Sequence, residues 1–293
     1  MGIFIGILEE GMIYAILALG VLITYRILDF PDLTVDSSFP LGAAVSAVLT
    51  VNGVPPVLTL FAATAAGAVS GLITGLIHVK GKVRDLLSGI ITMTALYSIN
   101  LRIAGRSNLP FFTMETLFDN GFVKSFPAFL SPYAKVVVIF LVLLIVKALL
   151  DLFLKTKAGY LLRAVGDNPY VVATLAKDGG LVKIEGLAIA NGLVALAGAV
   201  MAQKSRVFEI SMGTGAIVFG LAAVIIGTNL FRNITWMKLT TAAILGSILY
   251  KACVALALSL GLMPQDLKLV TAILFLLILI SGNLHKKKVK FHA

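Results

Sequence analysis

Stretches of about 20 apolar residues recur along the whole of this sequence, and no other feature constrains its fold so far. A helix rises about 1.5 Å per residue, so ~20 apolar residues cover the ~30 Å hydrocarbon core of a bilayer. The runs fall near 3–25, 38–51, 56–79, 85–103, 134–154, 183–203, 214–231, 237–260 and 268–283. Only 13% of the 293 residues are charged and 59% are hydrophobic, whereas roughly 25% of a globular protein is charged. Too few charges remain to cover a water-facing surface, so a soluble enzyme and a disordered chain are both excluded. The pattern predicts an all-α polytopic membrane protein of about eight or nine transmembrane helices, with residues 1–293 forming a single transmembrane domain.

The run at 38–51 is too short to cross alone. Just before it, the stretch Asp29 to Pro40 carries Asp29, Asp32 and Asp36 together with Pro31 and Pro40. Proline blocks a continuous helix and frees backbone groups, which membrane depth tolerates only against protein or a water-filled cavity. Two readings stay open. One is a broken or re-entrant helix near 29–51 that lines a path; the other is a polar turn with Asp and Ser caps. The small-residue run Ser38 to Ala44 is echoed by Gly213-Thr214-Gly215-Ala216, each followed by further spans. That order is compatible with two inverted repeats. Ala63, Gly67, Gly71 and Gly75 recur every fourth residue, so they share one helix face and predict close approach of a second backbone.

The net charge of +10 does not point to nucleic acid, because the basic residues cluster between apolar runs as in cytoplasmic loops. Arg26, Lys80, Lys82, Arg84, the basic residues of 155–183, and the Lys286, Lys287, Lys288 and Lys290 tail all fall on one side if the C-terminus is cytoplasmic. The tail 284–293 and the segment 155–183 are then cytoplasmic and 104–133 is external. Nine crossings would place the N-terminus outside and eight inside. Pro110, Phe111, Phe112, Phe126, Pro127 and Phe129 suggest packed irregular structure and a short surface helix in that external loop. Glu9 and Glu10 replace the basic start of a signal peptide, so the first segment should remain an anchor.

Catalytic motifs are absent. Lys80-Gly81-Lys82-Val83 lacks the spacing and hydroxyl of a phosphate-binding loop, and His78, His285 and His292 lack metal-ligand spacing. The chain is expected to be no enzyme and to bind no metal or cofactor itself. Cys253, the single cysteine, reads as a packed, inert thiol. Polar groups within or beside apolar runs are costly in lipid and face the protein interior. Asp36, Ser37, Ser38, Tyr97, Asn100, Asn191 and Lys251 are such groups, and are candidates for a translocation path or for hydrogen bonds between helices. Lys251 has no acidic residue within four positions. In 155–183, Asn168 suits a helix cap, Pro169 a first helical position and Asp178-Gly179-Gly180 a helix end. A short cytoplasmic helix near 169–178, presenting Tyr170, Val171, Thr174 and Leu175, is predicted as a docking element.

The run Gly159-Tyr160-Leu161-Leu162-Arg163-Ala164-Val165-Gly166-Asp167-Asn168-Pro169, followed by Ala173, Gly179 and the small-residue run Gly192 to Ala199, resembles the permease subunits of ABC importers. The closest group is the branched-chain amino acid transport permease family. Gly11 to Gly20 and Phe30-Pro31-Asp32-Leu33 resemble it too, and with Asp167-Asn168-Pro169 they are most similar to its branch of tryptophan and tyrosine uptake permeases. The resemblance covers nearly the full chain. It implies an integral subunit of a bacterial-type inner membrane that moves a small solute, an aromatic amino acid for this branch, inward by alternating access. It also implies separate ATPase subunits holding ATP and Mg, an extracytoplasmic substrate-binding protein and a second permease copy. Arg163, Asp167, Asn168, Pro169, Tyr170 and Thr174 would contact the ATPase, and Arg102, Arg106 and Lys124 would face the binding protein. From the residues alone, the alternative is an ion-gradient-driven transporter using Asp29, Asp32 and Asp36.

Overall fold

The computed structural model describes residues 2–124, 133–168, 178–232, 234, 236–259, 269, 271–273, 275–277 and 280. Its long helices are α1 (Gly2–Val21), α2 (Val35–Val51), α3 (Pro56–Val79), α4 (Asp85–Ala104), α5 (Ala134–Phe153), α6 (Lys157–Asp167), α7 (Gly179–Ser205), α8 (Ala216–Leu230) and α9 (Leu239–Ser259). A π-helical turn, Leu22–Ile27, prolongs α1. Seven of the described helices are long and apolar enough to span a membrane, and α2 is a shorter apolar one. The chain is all-α and polytopic, as its apolar runs predict.

α7 runs through the middle of the bundle against α3, α2 and α1. The four-residue repeat of α3 explains its tightest contact. A side chain at Gly67 would meet Asn191 and Ala195, one at Gly71 would meet the Leu187 backbone, and one at Gly75 would meet Ile184. The facing residues step down α7 as the glycines step up α3, so the two helices run antiparallel with backbones nearly touching. The glycines Gly42 and Gly198 do the same between α2 and α7, against Ala195 and Phe39. Lipid supplies no hydrophobic drive between apolar helices, so this van der Waals contact is the main adhesive. Outward faces stay apolar: Phe61, Leu144, Leu149 and Leu152 are exposed, as the acyl chains require.

At one end of the bundle, β1 (Asn108–Pro110) pairs antiparallel with β2 (Val207–Glu209), placing Leu109 opposite Phe208. Leu109, Phe111 and Phe208 are buried against Ala43, Ala47 and Ala202. The loop after α4 is therefore packed, as its prolines and phenylalanines predict, but through a ladder rather than irregular chain. Phe112 is exposed, and Phe126, Pro127 and Phe129 lie outside the described residues. The Arg206 guanidinium, with its backbone at φ 58°, bonds the Asp119 carboxylate and the Phe112 carbonyl. At the other end, Asp151 accepts from Lys147 (2.9 Å), Lys238 (2.8 Å) and Thr240 (2.6 Å), tying α5 to α9.

One expectation is corrected and one is extended. Asp178 caps the start of α7, its carboxylate accepting from the backbone N–H groups of Gly180 (2.8 Å) and Leu181 (3.4 Å), while the helix expected to end there lies outside the described residues. Cys253 is exposed on α9 rather than packed.

Candidate translocation site

Two polar regions lie inside this apolar bundle. The first is a seam joining α2, α3 and α7. The chain leaves the π turn at Leu28, passes Pro31 and re-enters a helix at Val35. In that break Asp32 is fully buried, and its carboxylate accepts from the Thr34 N–H (2.9 Å) and from Asn191 Nδ2 (2.7 Å). Asn191 Oδ1 in turn accepts from the Ser38 hydroxyl (2.7 Å), which lies 2.8 Å from that of Ser70. Thr34 and Thr74 pair at 2.9 Å. On the other side of α2, Ser37 donates to the Met93 carbonyl (2.8 Å), and Asn100 Nδ2 donates to the Ser37 carbonyl (3.0 Å). Nearer the sheet, Gln203 donates to Thr59 (2.8 Å) and accepts from the Leu117 N–H (2.9 Å). Asn100 Oδ1 is the one buried side-chain polar atom without a partner among the described residues.

Asp36 links this seam to the second region. Its carboxylate sits at the N-terminus of α8 and accepts from the N–H groups of Ile217 (2.8 Å) and Gly215 (3.2 Å). A carboxylate there complements the helix dipole and satisfies orphan donors. Gly215, at φ 84°, makes the turn that points those donors at it. Pro40 cannot donate to the Asp36 carbonyl, and Gly213 packs against both of these residues. The two echoing small-residue runs of the sequence thus touch where Gly213 packs on Pro40.

The second region is a cavity of about 570 Å³ between α1, the start of α8, α9 and Thr271–Ala272. Glu10 and Tyr14 of α1, Phe219 of α8, and Tyr250 and Lys251 of α9 line it. The Lys251 ammonium lies 3.0 Å from the Glu10 carboxylate, 4.3 Å from the centre of the Tyr14 ring and 5.3 Å from that of Phe219. Lys204 extends the cluster to Glu9 (3.2 Å) and Glu10 (3.7 Å). Tyr14 and Phe219 rings are 4.4 Å apart, and Phe219 meets Tyr250 edge-on at 4.8 Å. The Tyr250 hydroxyl donates to the Thr271 carbonyl (3.3 Å). Two acids and two bases balance within this cluster, and aromatic faces hold the partly exposed cation, a contact worth about 0.5–1 kcal/mol.

A model of the family described as branched-chain amino acid transport system, permease component, matches residues 3–281. The chain belongs to this permease family. The permease is 45% identical over 289 residues to the tyrosine transport system permease protein of Clostridioides difficile (strain R20291), covering 99% of this chain and 94% of that one. It is 34% identical over 285 residues to an uncharacterized protein of Rickettsia prowazekii (strain Madrid E), covering 96% and 98%. It is 28% identical over 228 residues to the ribose import permease protein of Bacillus subtilis (strain 168), covering 76% and 64%. No solved structure matches it.

Of the path candidates, this permease brings Asp36, Ser37, Ser38, Asn100 and Asn191 together around α2. Lys251 belongs to the cavity, where its partner Glu10 was invisible to short-range spacing. Tyr97 is 51% exposed and points outward from α4. Asp29, Asp32 and Asp36 do not share one site: Asp29 is exposed, Asp32 caps the break and Asp36 caps α8. Glu10, Tyr14 and Phe219 were missed; an acidic pair one turn ahead of Tyr14 in an apolar run was the available signal. Arg163 and Asp167 lie exposed on α6, which buries Gly159, Leu162 and Val165. Asn168 closes α6, its N–H donating to the Ala164 carbonyl (2.9 Å). Pro169, Tyr170 and Thr174, with the helix expected near 169–178, lie outside the described residues.

Proposed function

We propose that this permease is the membrane subunit of an ATP-driven importer that carries an aromatic amino acid inward, and that ATP and Mg are handled by separate ATPase subunits. The end-to-end similarity to a tyrosine permease carries this reading. A second permease copy, two ATPases and a substrate-binding protein complete the assembly in a bacterial-type inner membrane. The β1–β2 end faces outward, where the binding protein docks, and the α6 end and the C-terminus face the cytoplasm. The excess of Lys and Arg around α6 supports that orientation.

α6 is built to pass a push onward. Thr156 caps it by accepting from the Gly159 N–H (3.3 Å). Tyr160 and Arg163 lie exposed, the guanidinium 5.9 Å from the Tyr160 ring centre. On its inner face Gly166 packs on the Ile27 carbonyl, and Leu162 packs on Gly186 of α7. An ATPase that grips Arg163 and the segment after Asp167 would move the π turn and α7 together, and differential contact with the two states supplies the coupling. The test is uptake of labelled L-tyrosine by the reconstituted complex. Arg163→Glu is expected to cut ATP-driven uptake at least tenfold while the permease stays folded. Normal uptake and normal ATPase recovery on purification would overturn the docking role of α6. A folded wild-type permease that recovers no ATPase, and whose uptake follows the proton gradient instead of ATP, would replace the whole reading with an ion-driven one.

A further inference from the structure

We propose that the Glu10–Lys251 cavity binds the zwitterion of the transported amino acid within one permease subunit. Lys251 takes the carboxylate, Glu10 the ammonium, and the Tyr14 and Phe219 faces the aromatic side chain. This rests on the importer reading and adds a site to it.

The geometry matches the ligand group by group. An amino acid zwitterion carries one cation and one anion on adjacent atoms, and the cavity wall carries one of each 3.0 Å apart. Partner exchange is balanced: the Lys251–Glu10 contact opens, Lys251 pairs with the ligand carboxylate, and Glu10 pairs with its ammonium. Two opposite-charge contacts replace one, and the net charge of the site is unchanged. A dicarboxylate or a diamine would leave one charge without a partner in a low-dielectric bundle, which is costly. Both residues keep a side open for this exchange, with side-chain exposures of 18% for Lys251 and 43% for Glu10. Glu10 also keeps Lys204 at 3.7 Å, so the cluster holds together while Lys251 moves.

The rest of the lining sets the side chain. When Lys251 turns to the carboxylate it leaves the face of Tyr14, now 4.3 Å away, and a flat apolar ring can take that place against the contacting pair of Tyr14 and Phe219. Val218, Val254 and Ala255 extend this apolar wall. The volume, about 570 Å³, falls in the range of small-molecule sites. Among the described lining residues Lys251 is the sole cation, and the N–H groups of Gly215 and Ile217 are already held by Asp36. The ligand carboxylate therefore depends on Lys251. Because α1, α8 and α9 all contribute, the ligand bridges elements that a transport step would move apart.

The experiment is binding of labelled L-tyrosine to the full-length permease in nanodiscs, with tyramine and 3-(4-hydroxyphenyl)propionate as competitors, alongside uptake by the complex with its ATPase and binding protein. Lys251→Met is expected to weaken L-tyrosine at least tenfold while leaving tyramine, which lacks the carboxylate, nearly unchanged. Glu10→Gln is expected to do the reverse, sparing the propionate, which lacks the ammonium. The Glu10→Lys/Lys251→Glu exchange, which retains an ion pair, controls for folding. If the wild-type complex imports L-tyrosine and both single variants bind and import it with unchanged affinity and KM, the site is wrong and the importer reading stands. If the wild-type complex imports no aromatic amino acid, the substrate reading falls and the site falls with it.

Discussion

The α2–α3–α7 seam and the α1–α8–α9 cavity are both polar regions in an apolar bundle, yet they are built on opposite plans. In the seam, neutral hydroxyls and amides surround a single buried carboxyl, hydrogen bonds run from group to group, and glycines bring the backbones together. In the cavity, full charges face open space and are held by aromatic rings. The contrast separates two uses of polarity in a membrane: the seam positions helices, and the cavity retains groups that can change partners. The large effects of mutation on folding should therefore fall in the seam, and those on substrate in the cavity.

The largest expected effect is Gly71→Val, whose side chain would drive into the Leu187 backbone across the α3–α7 contact. Two packed backbones cannot separate locally, and overpacking costs about 1–3 kcal/mol or more even in softer surroundings. Folded yield after size-exclusion chromatography should collapse; a wild-type profile would show that this contact does not hold the bundle. Next comes Asn191→Leu, which strips donors and acceptors from Asp32 and Ser38. Interhelical hydrogen bonds average about 0.6 kcal/mol in membranes, but leaving one oxygen of a buried carboxyl without its donor costs about 1–3 kcal/mol. A marked fall in Tm in detergent is expected. Lys251→Met should change the same Tm little, by about 1 kcal/mol or less, because Glu10 is partly exposed and keeps Lys204. Equal losses for the two variants would erase the distinction between the regions.

The smallest effect concerns the sheet end. Burial raises the pKa of Asp119, but hydrogen bonds from Thr116 and Arg206 and the Arg206 charge outweigh it and hold the carboxyl below its ordinary value. A depressed folded pKa stabilises the loop above the unfolded value of ~3.9. That contribution is lost as pH falls below it toward the folded pKa. Protection factors in 105–124, taken relative to intrinsic exchange at each pH, should fall over that window in the wild type, and Asp119→Asn should remove that fall. An unchanged profile in the variant would show that another group anchors the loop.

Much of the fold was legible in the sequence because the bilayer imposes a length rule that each helix obeys separately. The spacing of Ala63, Gly67, Gly71 and Gly75 announced a close contact, though not that α7 supplies the other side. Asp36, Ser37, Ser38, Asn100 and Asn191 stood out as polar residues in apolar company, and they do meet. The cavity was hidden because its ion pair joins residues 10 and 251, and nothing local records so distant a pairing. The three-residue strands were too short to show alternation. That Asp178 caps the start of α7 was not read, because Asp-Gly-Gly serves a helix end and a helix start alike, and the two N–H groups it accepts from are revealed by no pattern.

The balance of two acids and two bases around Glu9, Glu10, Lys204 and Lys251 bears on energetics at the scale of the whole cell. Moving one elementary charge across a membrane is worth about 2.3 kcal/mol per 100 mV. A cluster that sums to zero, loaded with a ligand that also sums to zero, feels almost none of that field when the bundle rearranges around it. Uptake through such a site is set by ATP and by substrate concentration, and a cell whose membrane potential rises or collapses would neither drive the cargo nor trap it.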